Sequence, residues 1–141
     1  MSKYKTPSLT ADIFIFDEDF NFILIKRLND PYKDCWALPG GFVEYGESVE
    51  TAAIREAKEE TSIDVELIDL VNVYSNPDRD PRRHTVTVAF TAKGDLNARK
   101  ADSDAKEIGV FSYDEISEMD IAFDHRQIIN DCLKKVNKMS F

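Results

Sequence analysis

Arg55-Glu56-Ala57-Lys58-Glu59-Glu60 carries three carboxylates at positions i, i+3 and i+4, a spacing that places them on one face of an α-helix. The surrounding stretch, Ser48 to about Thr61, reads as the first helix of the chain, since Ala52, Ala53, Ala57 and the Glu and Lys residues favour that state. At about 100° per residue, with Val49 at zero, Glu56, Glu60 and Glu59 fall near 340°, 20° and 280°, beside Ala52 near 300° and Ala53 near 40°. The glutamates therefore continue the small apolar stripe that a helix turns toward its protein. A charge run that merely decorates the surface would stand opposite that stripe. Crowding three carboxylates there is costly: like charges at i, i+4 repel, desolvation adds to the penalty, and the C-terminal half of a helix disfavours anions. Cations would offset this, and hard divalent ions take carboxylate oxygens. Two cysteines, Cys35 and Cys132, and two histidines, His84 and His125, are a poor set for zinc.

Working outward, the chain alternates strands and helices. Leu9 to Phe16 and Phe22 to Arg27 read as a hairpin around the polar turn Asp17 to Asn21. Trp36 to Val43 is broken by Pro39-Gly40-Gly41 into short extended pieces around a tight bend, where backbone can approach a ligand closely. Val65 to Tyr74 and Thr85 to Thr91 follow as strands, the second alternating Val86, Val88 and Phe90 with Thr85, Thr87 and Thr91. Lys106 to Phe111 is a candidate last strand. Ser112 with Glu115 is a capping-box pair for a very short helix, and Asp124 with Gln127 opens the final one. There Ile128, Ile129, Cys132, Leu133 and Val136 form an apolar stripe. The order predicts an α/β protein with a mixed, partly antiparallel sheet and helices on its faces.

The 141 residues fit one domain. With 27 acidic and 18 basic residues, a formal charge of −9, the chain is not expected to bind nucleic acid polymers, which require clustered Lys and Arg. No apolar run approaches the roughly 20 residues of a membrane span, and no signal-type stretch follows Met1, so a cytoplasmic protein with reduced thiols is expected. An anionic small substrate would need a metal ion or a local arginine cluster to offset the field.

Gly41, five residues, Glu47, seven residues, Arg55 to Glu60 and then Ile63 resemble the Nudix box, G-x5-E-x7-R-E-U-x-E-E-x-G-U. Ala57 and Ser62 depart from it, standing where the pattern has a larger aliphatic residue and a glycine. The resemblance implies an α/β/α sandwich, a single Nudix domain over residues 1–141, and hydrolysis of a nucleoside diphosphate linked to another group. It makes Glu59 and Glu60 metal ligands, joined by the Gly40 carbonyl, and Glu56 a ligand or the base that deprotonates water. Arg55 would orient the glutamates, and Glu47 would be a further metal-linked or helix-orienting carboxylate. A later acidic residue, Asp104 or Glu107, would complete the site. The expected ion is Mg²⁺, with Mn²⁺ as an alternative, because a diphosphate repels its nucleophile until a divalent cation offsets the charge.

Beyond the box, Pro31 to Lys33, Trp36 to Glu44, Tyr74 to Arg82, His84 to Val86 and Ala122 to His125 are similar to the ADP-ribose pyrophosphatases of archaea and bacteria. Arg79, Arg82, Arg83 and His84 concentrate positive charge in an acidic chain, and arginine forks suit phosphate oxygens. Arg27 is a further candidate for the diphosphate, and Tyr74 or Phe42 for stacking on adenine. The expected reaction converts ADP-ribose to AMP and ribose 5-phosphate. The alternatives are a MutT-type nucleoside triphosphate pyrophosphohydrolase and a non-catalytic ADP-ribose sensor. The sensor reading calls for a DNA-binding segment, which these residues do not show. The partner is a small nucleotide, and the chain a monomer or homodimer.

Overall fold

The computed structural model describes residues 4–100 and 105–139. Its elements are strands β1 (Ser8–Phe16), β2 (Phe22–Arg27), β3 (Trp36–Ala37) and β4 (Gly40–Phe42), helix α1 (Val49–Thr61), strands β5 (Glu66–Tyr74), β6 (Thr85–Lys93) and β7 (Ala105–Phe111), and helix α2 (His125–Met139). One mixed sheet runs β3-β2-β1-β6-β5, with β4 added to β1 and β7 to β2. β1 and β6 are parallel, and the other pairs are antiparallel.

Strand alternation makes the sandwich. Ala11, Ile13 and Ile15 of β1 pack with Ala52, Ala53 and Ala57 of α1 on one face. Phe14 and Phe16 pack on the other with Ile128, Ile129, Cys132 and Val136 of α2. The α/β/α arrangement is thus as expected. The three alanines are fully buried, and their size lets α1 sit close to the sheet. Ala57 therefore suits the place where the box has a bulkier residue. Ser48 caps α1 by accepting the Thr51 N–H at 3.1 Å. Ser62 ends it at φ 64° with its N–H on the Lys58 carbonyl, the left-handed geometry a glycine would adopt without steric cost.

Two register shifts in β5 change its periodicity. Leu67, Leu70 and Val73 lie opposite Ala92, Phe90 and Val88, whose partners belong to the α1 face. Ile68, Val71 and Tyr74 pack on the α2 face. Two of the expected helix starts differ in detail. Glu115 accepts the Ser112 N–H at 2.9 Å, but the segment it opens is a 3-10 turn, Asp114–Glu118, without a side-chain cap. Asp124 offers its carbonyl, not its carboxylate, to the Gln127 N–H, because Arg79 holds that carboxylate with bonds of 2.8 and 2.6 Å.

The sheet splits where the site forms. β1 meets β2 at Phe16 and Phe22, but at Thr10, Ala11 and Asp12 it pairs instead with β4. Between the diverging strands lies a cleft of about 410 Å³.

Candidate active site

The Pro39-Gly40-Gly41 bend lays β4 over α1. The Ile13 N–H donates to the Pro39 carbonyl at 2.9 Å and the Val43 N–H to the Leu9 carbonyl at 2.9 Å, so the bend is fixed to β1 on both sides. A Cβ on Gly40 would lie 2.3 Å from the Ala11 carbonyl oxygen and 2.3 Å from Oδ1 of Asp12. A Cβ on Gly41 would lie 2.6 Å from the Glu56 carboxylate. At Gly40 the strand passes too close to the β1 backbone for a side chain, and at Gly41 a side chain would displace the Glu56 carboxylate.

Arg55 organises the carboxylates. Its Nε and Nη2 donate to the two oxygens of Glu47 at 2.7 and 2.9 Å. Its Nη1 donates to Glu56 at 2.8 Å and Glu59 at 3.1 Å, and Nη2 also reaches the Phe42 carbonyl at 3.0 Å. The box implies an orienting role for Arg55, and in the structure its bonds reach Glu47, Glu56 and Glu59. These bonds hold the Glu47 carboxyl well below the usual range, at about 2.

Two of the three helix glutamates face inward. Glu60 is buried at the cleft floor, and among the described residues its Oε2 has no hydrogen-bond donor. Burial first, and the neighbouring Glu56 second, push its carboxyl up to about 9, against the lowering influence of the Gly40 backbone N–H. Burial also raises Glu56, against the pull of Arg55. Glu59 departs from the expectation of a shared inward face: its side chain is 55% exposed at the rim. On the wheel it stood at the edge of the stripe, and its length lets it turn out to Arg55 one helical turn back.

The other predicted residues divide. Arg27, Arg79 and Arg82 line the cleft together with Glu56, Glu60 and Gly40. Arg79 is committed to Asp124, and Arg82 to Asp80 at 2.8 and 3.1 Å. Arg27 donates from Nε to the Pro31 carbonyl at 2.8 Å, and among the described residues it is the cleft arginine with no carboxylate partner. Burial and the nearby Arg82 lower its pKa. Tyr74 does not reach the cleft. It is buried in the α2-side core with its hydroxyl donating to Asp131 at 2.7 Å, because the β5 register shifts turn it to that face. Phe42 is half exposed in the cleft wall with Arg83 over its ring at 5.7 Å. His84 is exposed and bonded to the Ser75 carbonyl. Asp104 lies outside the described residues. Glu107 is exposed on β7 opposite Lys26.

Two further cleft residues were not among the expected site residues. Asp12 sits within an apolar strand, yet it is buried and accepts from Thr87 Oγ1 at 2.7 Å. Phe123, in left-handed backbone at φ 53°, packs its ring under Arg27 at 4.9 Å and near Arg82 at 5.8 Å, where cation–π attraction lets two like charges share one wall. Asp in an apolar strand was a readable anomaly. The place of Phe123 depends on a fold that brings residues 27, 82 and 123 together.

The donor set fits a hard divalent cation. It is all oxygen, it contains a buried carboxylate oxygen without a donor, and glycine backbone borders it. Among the described residues no three His, Cys, Asp or Glu side chains converge closely enough to chelate an ion as they stand, since Arg55 engages Glu56 and Glu59. Glu56 and Glu60 would hold the ion at the floor, beside Gly40, while Glu59 would have to turn in from the rim to join them.

A glutamate pair on the inner face of a helix, roofed by a Gly-Gly bend on an α/β/α sandwich, defines a class, the Nudix pyrophosphohydrolases. Comparison makes the membership definite: residues 6–132 match the NUDIX domain, and the chain belongs to that family. It is 44% identical over 134 residues to an ADP-ribose pyrophosphatase of Methanocaldococcus jannaschii, covering 95% of this chain and 78% of that protein. It is 33% identical to an ADPR responsive transcriptional repressor, NtrR, of Acinetobacter baylyi, covering 96% of this chain and 57% of the repressor. A bifunctional NMN adenylyltransferase/ADP ribose pyrophosphatase of Francisella tularensis, solved with AMP and a manganese ion, superposes with a TM-score of 0.84 at 28% identity, covering 95% of this chain and 43% of that one. The chain thus spans less than two thirds of the repressor and of the bifunctional enzyme. No helix among the described residues is long and apolar enough to cross a membrane.

Proposed function

We propose that this protein hydrolyses the diphosphate linkage of a nucleoside diphosphate derivative in the presence of Mg²⁺ or Mn²⁺, with ADP-ribose as substrate and AMP and ribose 5-phosphate as products. The observation that carries the reading is the buried, donor-less oxygen of Glu60 beside Glu56, facing a cleft lined by Arg27, Arg79 and Arg82. A divalent ion bound by these glutamates would neutralise diphosphate oxygens and acidify water.

The chain's own residues do the rest. Arg27 is free to donate to a phosphate oxygen, while Arg79 and Arg82 are held rigid by Asp124 and Asp80 and supply positive field. Glu56, oriented by Arg55, would serve either as an ion ligand beside Glu60 or as the base that takes a proton from the attacking water. Water adds to one phosphorus, the bridging oxygen leaves with the other phosphoryl group, and each product carries a phosphate monoester. Phe42, exposed in the cleft wall, offers a stacking face for a base. The likeness to an ADP-ribose pyrophosphatase supports the substrate assignment.

A panel of ADP-ribose, other nucleoside diphosphate compounds and (d)NTPs, each assayed with Mg²⁺ and with Mn²⁺, tests this. AMP release from ADP-ribose, with kcat/KM at least tenfold above the other compounds, is expected. Inorganic pyrophosphate from a triphosphate as the preferred reaction would favour the MutT-type activity instead. Tight ADP-ribose binding without turnover would favour the sensor reading, which draws on the likeness to the repressor.

A further inference from the structure

His125, the first residue of α2, is buried and takes no part in the chemistry above. Its Nδ1 accepts the Leu38 N–H at 3.0 Å, so the neutral ring carries its proton on Nε2. That nitrogen lies 3.6 Å from Oδ2 of Asp12, which Thr87 Oγ1 also reaches at 2.7 Å. Asp12 is the register partner of Gly40, and its Oδ1 fills the space a Gly40 side chain would need. The Gly40 N–H in turn lies close enough to Glu60 to favour its charged form. A single imidazole thus braces both ends of the Leu38-Pro39-Gly40 segment, directly at Leu38 and through Asp12 at Gly40. We propose that His125 is a positioning residue that, through Leu38 and Asp12, sets where Gly40 meets Glu60 and so holds the Glu60 carboxylate in its ion-binding pose.

The geometry explains why a histidine is needed. The ring must accept from Leu38 on one side and set a neutral N–H 3.6 Å from Asp12 on the other, since a cation there would deprive Leu38 of its acceptor. Burial, the largest influence on the ring, lowers its pKa and keeps it neutral, against the opposing charge of Asp12. Without it, the Leu38 N–H becomes a buried donor with no partner, and Asp12 loses its counterpart on the α2 side.

The inference rests on the proposed role of Glu60, but one readout is independent of it. His125→Asn keeps an acceptor near Nδ1, His125→Gln keeps a donor near Nε2, and His125→Phe keeps neither. NMR of metal-free protein follows the Leu38 and Gly40 amides. In His125→Phe both are expected to shift, and in His125→Asn the Leu38 amide is expected to stay close to wild type. Mn²⁺ affinity by EPR is expected to weaken at least tenfold in His125→Phe, and ADP-ribose turnover to lose at least tenfold in kcat with KM within about threefold. His125→Asn should restore most of both. A folded His125→Phe protein whose Gly40 amide is unmoved overturns the proposal, whatever the activity. So does a loss confined to KM. If His125→Phe does not fold, His125→Gln serves: it lacks the acceptor for Leu38, so the Leu38 amide is expected to shift and kcat to fall, and an unmoved Leu38 amide or an unchanged kcat overturns the proposal. Wild-type protein that neither binds Mn²⁺ nor hydrolyses any nucleotide defeats the proposed function instead, and the amide shifts then decide the bracing role alone.

Discussion

Glu60 concentrates the electrostatic cost of the site in one residue. An ordinary glutamate titrates near pH 4.5, while this one is pushed up to about 9. The metal-free fold therefore takes up a proton that the unfolded chain lacks between those values. A raised pKa stabilises the fold fully below pH 4.5, and that contribution drains away as the pH climbs through about 9. One proton of difference corresponds to about 1.4 kcal/mol per pH unit at most. Glu60→Gln removes the titration. In EDTA its melting temperature should fall less steeply than that of wild type between pH 5 and pH 9, and turnover should drop by about 100-fold or more, since even partners of metal ligands cost 10–100-fold. Parallel pH–melting curves for the two proteins would count against a buried, proton-binding Glu60. Glu47 has the opposite sign. Its carboxyl, held at about 2 by Arg55, contributes stability above pH 4.5 that is lost as the pH falls toward 2.

Between residues and fold stand the short strand β4 and the helix beneath it. Gly40 and Gly41 are adjacent, but their neighbours differ in kind. A Cβ on Gly40 would meet β1 backbone at 2.3 Å, whereas one on Gly41 would meet the mobile end of Glu56 at 2.6 Å. Backbone cannot give way, and a long side chain can. Gly40→Ala should thus cost the fold about 2–3 kcal/mol, as overpacking typically does. Gly41→Ala should cost under about 1 kcal/mol yet cut kcat at least tenfold, by pushing Glu56 away from Glu60. Urea unfolding set beside steady-state kinetics separates the two, and equal stability losses would show that β4 is not pinned as described. The same elements show what the sequence made legible. The α1 glutamates were readable because helical spacing fixes their direction within one turn, and the hairpin because its turn is local. Tyr74 was misplaced because two register shifts in β5 turn every third residue to the same face, and no local pattern announces a bulge. Asp12, Phe123 and His125 become site residues only when β1, β2 and the start of α2 meet. That meeting is a property of topology.

At the scale of the whole molecule, the net charge of −9 opposes an anionic substrate and favours a divalent cation, so ion binding and folding are linked. An ion that binds the folded chain and not the unfolded one stabilises it by about 2.7 kcal/mol at 100 times its dissociation constant. For a domain of this size that is a rise of several degrees in melting temperature, at about 3–5 °C per kcal/mol. The ion competes with the proton on the Glu56–Glu60 pair, and Glu60 holds that proton up to about pH 9. Affinity should therefore climb with pH, and so should the melting increment, as the metal-free protein becomes less stable and the loaded protein is relieved of the same strain. Differential scanning calorimetry with 5 mM Mg²⁺ or Mn²⁺ against EDTA is expected to show an increment at pH 8.5 at least twice that at pH 6. In Glu60→Gln the increment should be small at both. An increment in wild type that is independent of pH, or one that persists undiminished in the variant, would place the ion on surface carboxylates away from the cleft floor.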